Sequence, residues 1–110
     1  MNKQVFTTTT KGTEYSLPKW TLTENGIVLT DECQVITFLR GTKDNDNPVV
    51  NGVLHEQLLA MMVEDLTYKQ SLVPSPITEE ILQCYKTALE LFNRREKDRV
   101  ERGVINTNNP

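Results

Sequence analysis

Two prolines, Pro74 and Pro76, divide the C-terminal half of the chain and constrain its fold more than any other feature. Proline lacks a backbone N–H and fixes φ near −65°, so a helix does not run through this pair. Before the prolines, apolar residues recur at helical spacing, which predicts a first helix from about residue 53 to 70, with Asn51 or Gly52 at its start. The stripe comprises Leu54, Leu58, Leu59, Met61 or Met62, Val63 and Leu66.

A second amphipathic helix is predicted after the prolines. Ser75 or Thr78 suits its N-cap, Pro76 suits its first turn, and Gly103 suits its C-terminal end. Its apolar face comprises Ile81, Cys84, Tyr85, Ala88, Leu91 and Phe92. Two amphipathic helices joined by a short turn bury each other, so residues 51–102 are expected to form an antiparallel two-helix hairpin.

The N-terminal part reads as β structure. β-branched and aromatic residues are concentrated in short segments of residues 3–40, which predicts an antiparallel meander of three to five strands. Asn25-Gly26 favours a tight type I′ hairpin turn. The segments are 4–9, 14–17, 19–23, 27–29 and 34–39. The predicted fold class is therefore α+β, with the meander first and the helical hairpin second.

A polar loop from Gly41 to Val50 separates these two parts. A chain of 110 residues has room for one modest core, so residues 1–110 are predicted to form a single domain. Hydrophobic residues make up 37% of the chain, and so lean a core is often completed by oligomerisation.

Composition excludes several classes of protein. No apolar run is long enough to span a membrane, and no secretory signal is visible at the N-terminus. A net charge of −3 argues against general affinity for nucleic acid. Cys33 and Cys84 lack metal-site spacing and are read as reduced cysteines of a cytosolic protein. The single histidine, His55, supports no catalytic constellation, so we predict a protein that is not an enzyme and has no cofactor or metal.

Positive charge is concentrated at the end of the second helix. Arg95 lies four residues after Leu91, and Arg99 lies four residues after Arg95, so both extend the apolar face. Two guanidinium groups one turn apart suit phosphate, which accepts bidentate hydrogen bonds. The alternative, which composition alone favours, is an exposed helix with i,i+4 ion pairs. These pairs would be Glu90–Arg94, Lys97–Glu101 and Asp98–Arg102.

Three stretches of the chain carry a family resemblance. The first is residues 36–41. The second is Asn51-Gly52-Val53 with residues 56–59 and Glu64-Asp65-Leu66. The third is Ala88-Leu89 with residues 95–104, which contain the motif Arg102-Gly103. They resemble the helical-hairpin sponge domain of phage proteins that counter the Thoeris and CBASS defence systems. The resemblance implies a cytoplasmic protein of an infected bacterium that sequesters a nucleotide second messenger without degrading it. The ligand classes implied are glycocyclic ADP-ribose and cyclic di- or trinucleotides.

The same resemblance implies site residues and an assembly. The two ligand-binding arginines of the family fall on Arg95 and Arg99. Its stacking aromatic falls on Lys69, with Tyr68 adjacent, and a ligand-contacting asparagine aligns near Thr78. The loop around Lys43 matches a region that serves a second, cyclic-trinucleotide site in some members. Family members are dimers or hexamers that bind ligand between protomers, so a homo-oligomer is expected, with no membrane and no nucleic acid polymer as partner.

Two other functions remain open from the residues alone. The basic end of the second helix suits an interaction module that binds a protein or RNA. A small hydrolase of messengers is the least supported, because the chain offers neither a convincing general base nor a metal site.

Overall fold

The computed structural model describes residues 5–41 and 49–103. The elements follow one another as β1 (Thr7–Thr10), β2 (Glu14–Thr23), β3 (Gly26–Thr37), α1 (His55–Leu72) and α2 (Pro76–Glu101). The α+β class, a meander followed by a two-helix hairpin, is thereby confirmed. None of the described helices has a stretch long and apolar enough to cross a lipid bilayer.

The described residues divide into two compact units. The first contains residues 5–40 together with Val49–Val53, and the second contains both helices. That the two units belong to a single domain stays a prediction.

The sheet unit has three antiparallel strands in the order β1-β2-β3. The predicted segments 14–17 and 19–23 form one strand through Pro18. Segments 27–29 and 34–39 likewise belong to one strand, which ends at Thr37, two residues before the predicted end. Pro18 is tolerated because it lies beyond the stretch of β2 that pairs with β1, next to a register shift between Pro18 and Trp20. The hairpin turn lies where it was predicted. Thr23 pairs with Gly26, however, so Glu24 and Asn25 form its loop and Gly26, at φ 108°, opens β3.

The predicted start of the first helix at Asn51 or Gly52 is wrong. The backbone of residues 50–53 is used by the sheet unit instead: Val53 N donates to Thr37 O at 2.8 Å, and Leu39 N donates to Val53 O at 3.1 Å. Helix α1 therefore begins at His55, with Leu54 as its N-cap. Because the Leu54 side chain cannot accept a hydrogen bond, the Gln57 side chain helps here, with Oε1 accepting from Leu54 N at 2.8 Å.

The turn between the helices confirms the role of Ser75. Its Oγ accepts from Thr78 N at 3.5 Å, Pro76 occupies the first turn of α2, and Gly103 follows the helix at φ 71°. Gln70 adds a contact that the sequence analysis missed. Its Oε1 accepts from Ser75 N at 2.9 Å and its Nε2 donates to Ser75 O at 3.0 Å, so one side chain closes the turn.

Each helix packs against the other through one stripe of residues spaced three, four or seven positions apart. On α1, Leu59, Val63 and Leu66 are half-buried. On α2, Leu82 is 3% exposed and is the only buried apolar side chain among the described residues. The packed stripe of α2 comprises Thr78, Leu82, Tyr85, Leu89, Phe92 and Arg99. The single apolar face predicted for α2 is therefore two stripes, and the buried Leu82 was not among the residues of the predicted face.

Candidate functional site

Arg95 and Arg99 lie one helical turn apart near the C-terminal end of α2, as predicted. Their surroundings differ. Arg95 is exposed, whereas Arg99 is half-buried at the end of the packed stripe and its Nε is shielded from solvent. The Arg99 side chain is therefore partly covered by its neighbours, whereas the Arg95 guanidinium is accessible to a ligand.

The N-terminus of α1 lies at the same end of the hairpin. The rings of His55, the first residue of α1, and Phe92, on α2, have centroids 5.8 Å apart. A helix N-terminus carries a partial positive charge and N–H groups without helical partners, which favour anions. The two arginines and this helix end lie in one region, together with the C-terminal end of α2, whose partial charge is negative; we call this region the arginine end.

Only part of the predicted ion-pair network is present. Arg102 Nη2 lies 2.9 Å from Asp98 Oδ2, as the alternative reading expected. Within the described residues, no ion pair joins Glu90 to Arg94 or Lys97 to Glu101. Ion pairs within α2 therefore do not neutralise the charges of Arg94 and Lys97.

Three other predicted ligand residues, Tyr68, Lys69 and Thr78, lie near the prolyl turn, and we call them the turn group. Tyr68 is 64% exposed, so its ring is accessible for stacking. Lys69 Nζ lies 3.1 Å from Asp65 Oδ2, in an exposed i,i+4 ion pair. Thr78 is half-buried, and its backbone N–H is the one that Ser75 caps. Lys43 lies outside the described residues.

The structure does not bring the turn group and the arginine end together within one chain. Thr78 and Arg95 are separated by about 25 Å along α2, at 1.5 Å per residue. A cyclic dinucleotide is much shorter than this distance. A single chain therefore has two arginines at one end of the hairpin and an exposed aromatic ring at the other.

Neither a metal site nor a known relative adds to this description. Among residues 5–41 and 49–103, no group of His, Cys, Asp and Glu side chains could hold a metal ion. No model of a protein family matches the chain, and no curated protein matches it in sequence.

Proposed function

We propose that the protein binds a small nucleotide second messenger of bacterial immunity and sequesters it intact, as a phage anti-defence sponge against Thoeris or CBASS signalling. The observation that carries the proposal is the arginine end, where Arg95 and Arg99 lie one turn apart beside the N-terminus of α1. Glycocyclic ADP-ribose and cyclic di- and trinucleotides each carry at least two negative charges, which two guanidinium groups match. The proposed setting is the cytoplasm of an infected bacterium, and the proposed action requires no catalysis.

The proposal is tested by native mass spectrometry of the full chain with a panel of glycocyclic ADP-ribose isomers and cyclic di- and trinucleotides. We expect a stable complex with at least one of them, and release of that ligand with unchanged mass after heating. Release of a hydrolysed product would replace the sponge with an enzyme. Absence of binding across the panel would reject the proposal.

Arginine variants locate the site. Replacing Arg95 or Arg99 with alanine removes a charge-assisted contact worth about 1.5–3 kcal/mol, which weakens binding about tenfold to over a hundredfold. Lys97→Ala is the matched control, because Lys97 is an exposed cation in the same helical segment that lies outside the packed stripe. Equal losses from Lys97→Ala and Arg95→Ala would indicate a diffuse electrostatic effect rather than a site.

The alternative is an interaction module that binds RNA or a protein through the basic end of α2. Arg94, Arg95 and Lys97 are exposed there, which favours a polyanionic partner as the second candidate. RNA binding that falls steeply with salt concentration, together with no retention of small messengers, would support this alternative.

A further inference from the structure

Helix α2 carries a second, largely apolar stripe that the hairpin leaves exposed except at Ala88, which is half-buried. Its members are spaced alternately four and three residues apart, which is the spacing of a coiled-coil seam. Ile77 is 68% exposed, Ile81 39% and Leu91 52%. We call the following set the second stripe: Ile77, Ile81, Cys84, Ala88, Leu91 and Arg95.

Helix α1 extends this apolar surface. Each apolar residue of the second stripe directly precedes a residue of the packed stripe, and on α1 the corresponding positions are Leu58, Met62 and Asp65. Because the two helices are antiparallel, positions that precede their packed stripes lie on the same side of the hairpin. The positions that follow the packed stripes are mostly polar, as in Glu64, Gln83 and Glu90. The hairpin thus has one apolar side and one polar side.

We propose that this apolar side is an interface between two copies of the chain, with the α2 helices antiparallel across a two-fold axis near Lys86. In this register Cys84 faces Ala88 of the second copy, and Ile81 faces its Leu91. The interface is self-complementary, as a two-fold interface must be, and two hairpins joined in this way form a four-helix bundle.

Charge complementarity favours a second copy of the chain as the partner and an antiparallel arrangement of the two α2 helices. Glu80 and Arg94 flank the second stripe on one edge, and neither forms an ion pair within the described part of the chain. Antiparallel pairing places Glu80 of each copy beside Arg94 of the other, which gives two equivalent ion pairs. Parallel pairing would instead place Arg95 against Arg95 and Arg94 near Arg99, and like charges in a seam are unfavourable.

The first test is the oligomeric state of the full chain, measured by light scattering during size-exclusion chromatography without ligand. We expect a dimer, twice the 12.6 kDa chain mass, or a larger assembly built from it. Leu91→Glu places a charge in the seam and should dissociate it into monomers. Asn93→Glu, exposed on the same helix but outside both stripes, should leave the mass unchanged. A monomeric wild type, or an oligomer that Leu91→Glu does not affect, overturns the proposal.

A charge exchange tests the orientation and does not depend on a core substitution. Glu80→Arg and Arg94→Glu should each raise the dimer dissociation constant about tenfold, because each creates two like-charge contacts in the symmetric dimer. The double variant restores opposite charges and should recover wild-type affinity. Failure of the double variant to recover contradicts the antiparallel pairing. Since no ligand is present, these outcomes are independent of messenger binding.

Discussion

At the scale of single residues, Gly52 has less room for a side chain than Gly12, Gly26 or Gly103. A Cβ atom placed there would lie 2.5 Å from Phe38 C and 2.7 Å from Leu39 N, both in the backbone. These atoms are fixed by the hydrogen bonds that Val53 makes with Thr37 and Leu39. Glycine at this position therefore allows residues 50–53 to lie against the end of β3.

Gly52→Ala is expected to destabilise the sheet unit by about 1–3 kcal/mol, the usual cost of forcing an extra methyl group into a packed contact. Denaturant unfolding followed by Trp20 fluorescence measures this, because Trp20 is the single tryptophan and lies in β2. Asn51→Ala, at an exposed neighbour, serves as the control and should change the stability little. An unchanged midpoint for Gly52→Ala would contradict the close approach.

At the scale of the elements, the turn between α1 and α2 depends on one side chain. Gln70 bonds both the N–H and the carbonyl of Ser75 and is half-buried. Prolines fix the backbone on either side of Ser75, but they offer no N–H donors of their own. The amide of Gln70 thus compensates for hydrogen bonds that a proline-rich turn cannot make with itself.

Gln70→Ala should lower the stability of the hairpin by about 1–3 kcal/mol, because two hydrogen bonds are lost and the Ser75 N–H loses its partner, while the Ser75 carbonyl still accepts from Glu79 N. Thermal unfolding followed by far-UV circular dichroism at 222 nm, which reports helix content, measures this. Gln83→Ala is the control, since Gln83 is exposed and bonds only the Glu79 side chain within α2. Equal effects of the two variants would assign the loss to helix propensity rather than to the turn.

The helices and strands show which bounds could be predicted from the sequence and which could not. Helical spacing, Ser75, Pro76 and Gly103 predicted the hairpin correctly because these signals act within a few residues of the chain. The start of α1 was misplaced because residues 50–53 are held by hydrogen bonds to residues 37–40, which are distant in sequence. The strands 14–17 and 19–23 were separated at Pro18 because a proline usually ends a strand, whereas here pairing with β3 continues beyond it.

The geometry around the candidate site residues was predicted less completely than the fold. The spacing of Arg95 and Arg99 correctly placed them one turn apart, but helical periodicity did not separate the packed stripe of α2 from the second stripe beside it. Only the position of α1 makes that distinction, and it buries Leu82 while leaving Leu91 exposed. The distance between the turn group and the arginine end likewise follows from the antiparallel hairpin, not from the residue types.

At the scale of the whole molecule, the exposed apolar side chains of both helices are the dominant feature. Leu82 is the only buried apolar side chain of the described residues, and Ile77, Leu91 and Val100 are each more than half exposed. The hairpin therefore has little interior of its own. We expect the melting temperature of the helices to rise with protein concentration, since association then contributes to folding stability. The Leu91→Glu variant, which is unable to associate, should lose this dependence.

The length of α2 between Thr78 and Arg95 has a consequence for mixtures of two variants, one lacking the arginines and the other lacking Tyr68. On the proposed antiparallel pairing, Ile77 of one copy faces Arg95 of the other, so the turn group of each chain lies beside the arginines of its neighbour. A chain with Arg95→Ala and Arg99→Ala and a chain with Tyr68→Ala would each bind poorly alone. Unfolded and refolded together in equal amounts, they should regain about a quarter of wild-type binding capacity, because half of the dimers are mixed and each has one intact site. Messenger binding would then show complementation between two inactive variants. A mixture as inactive as its components would instead indicate that each site lies within a single chain.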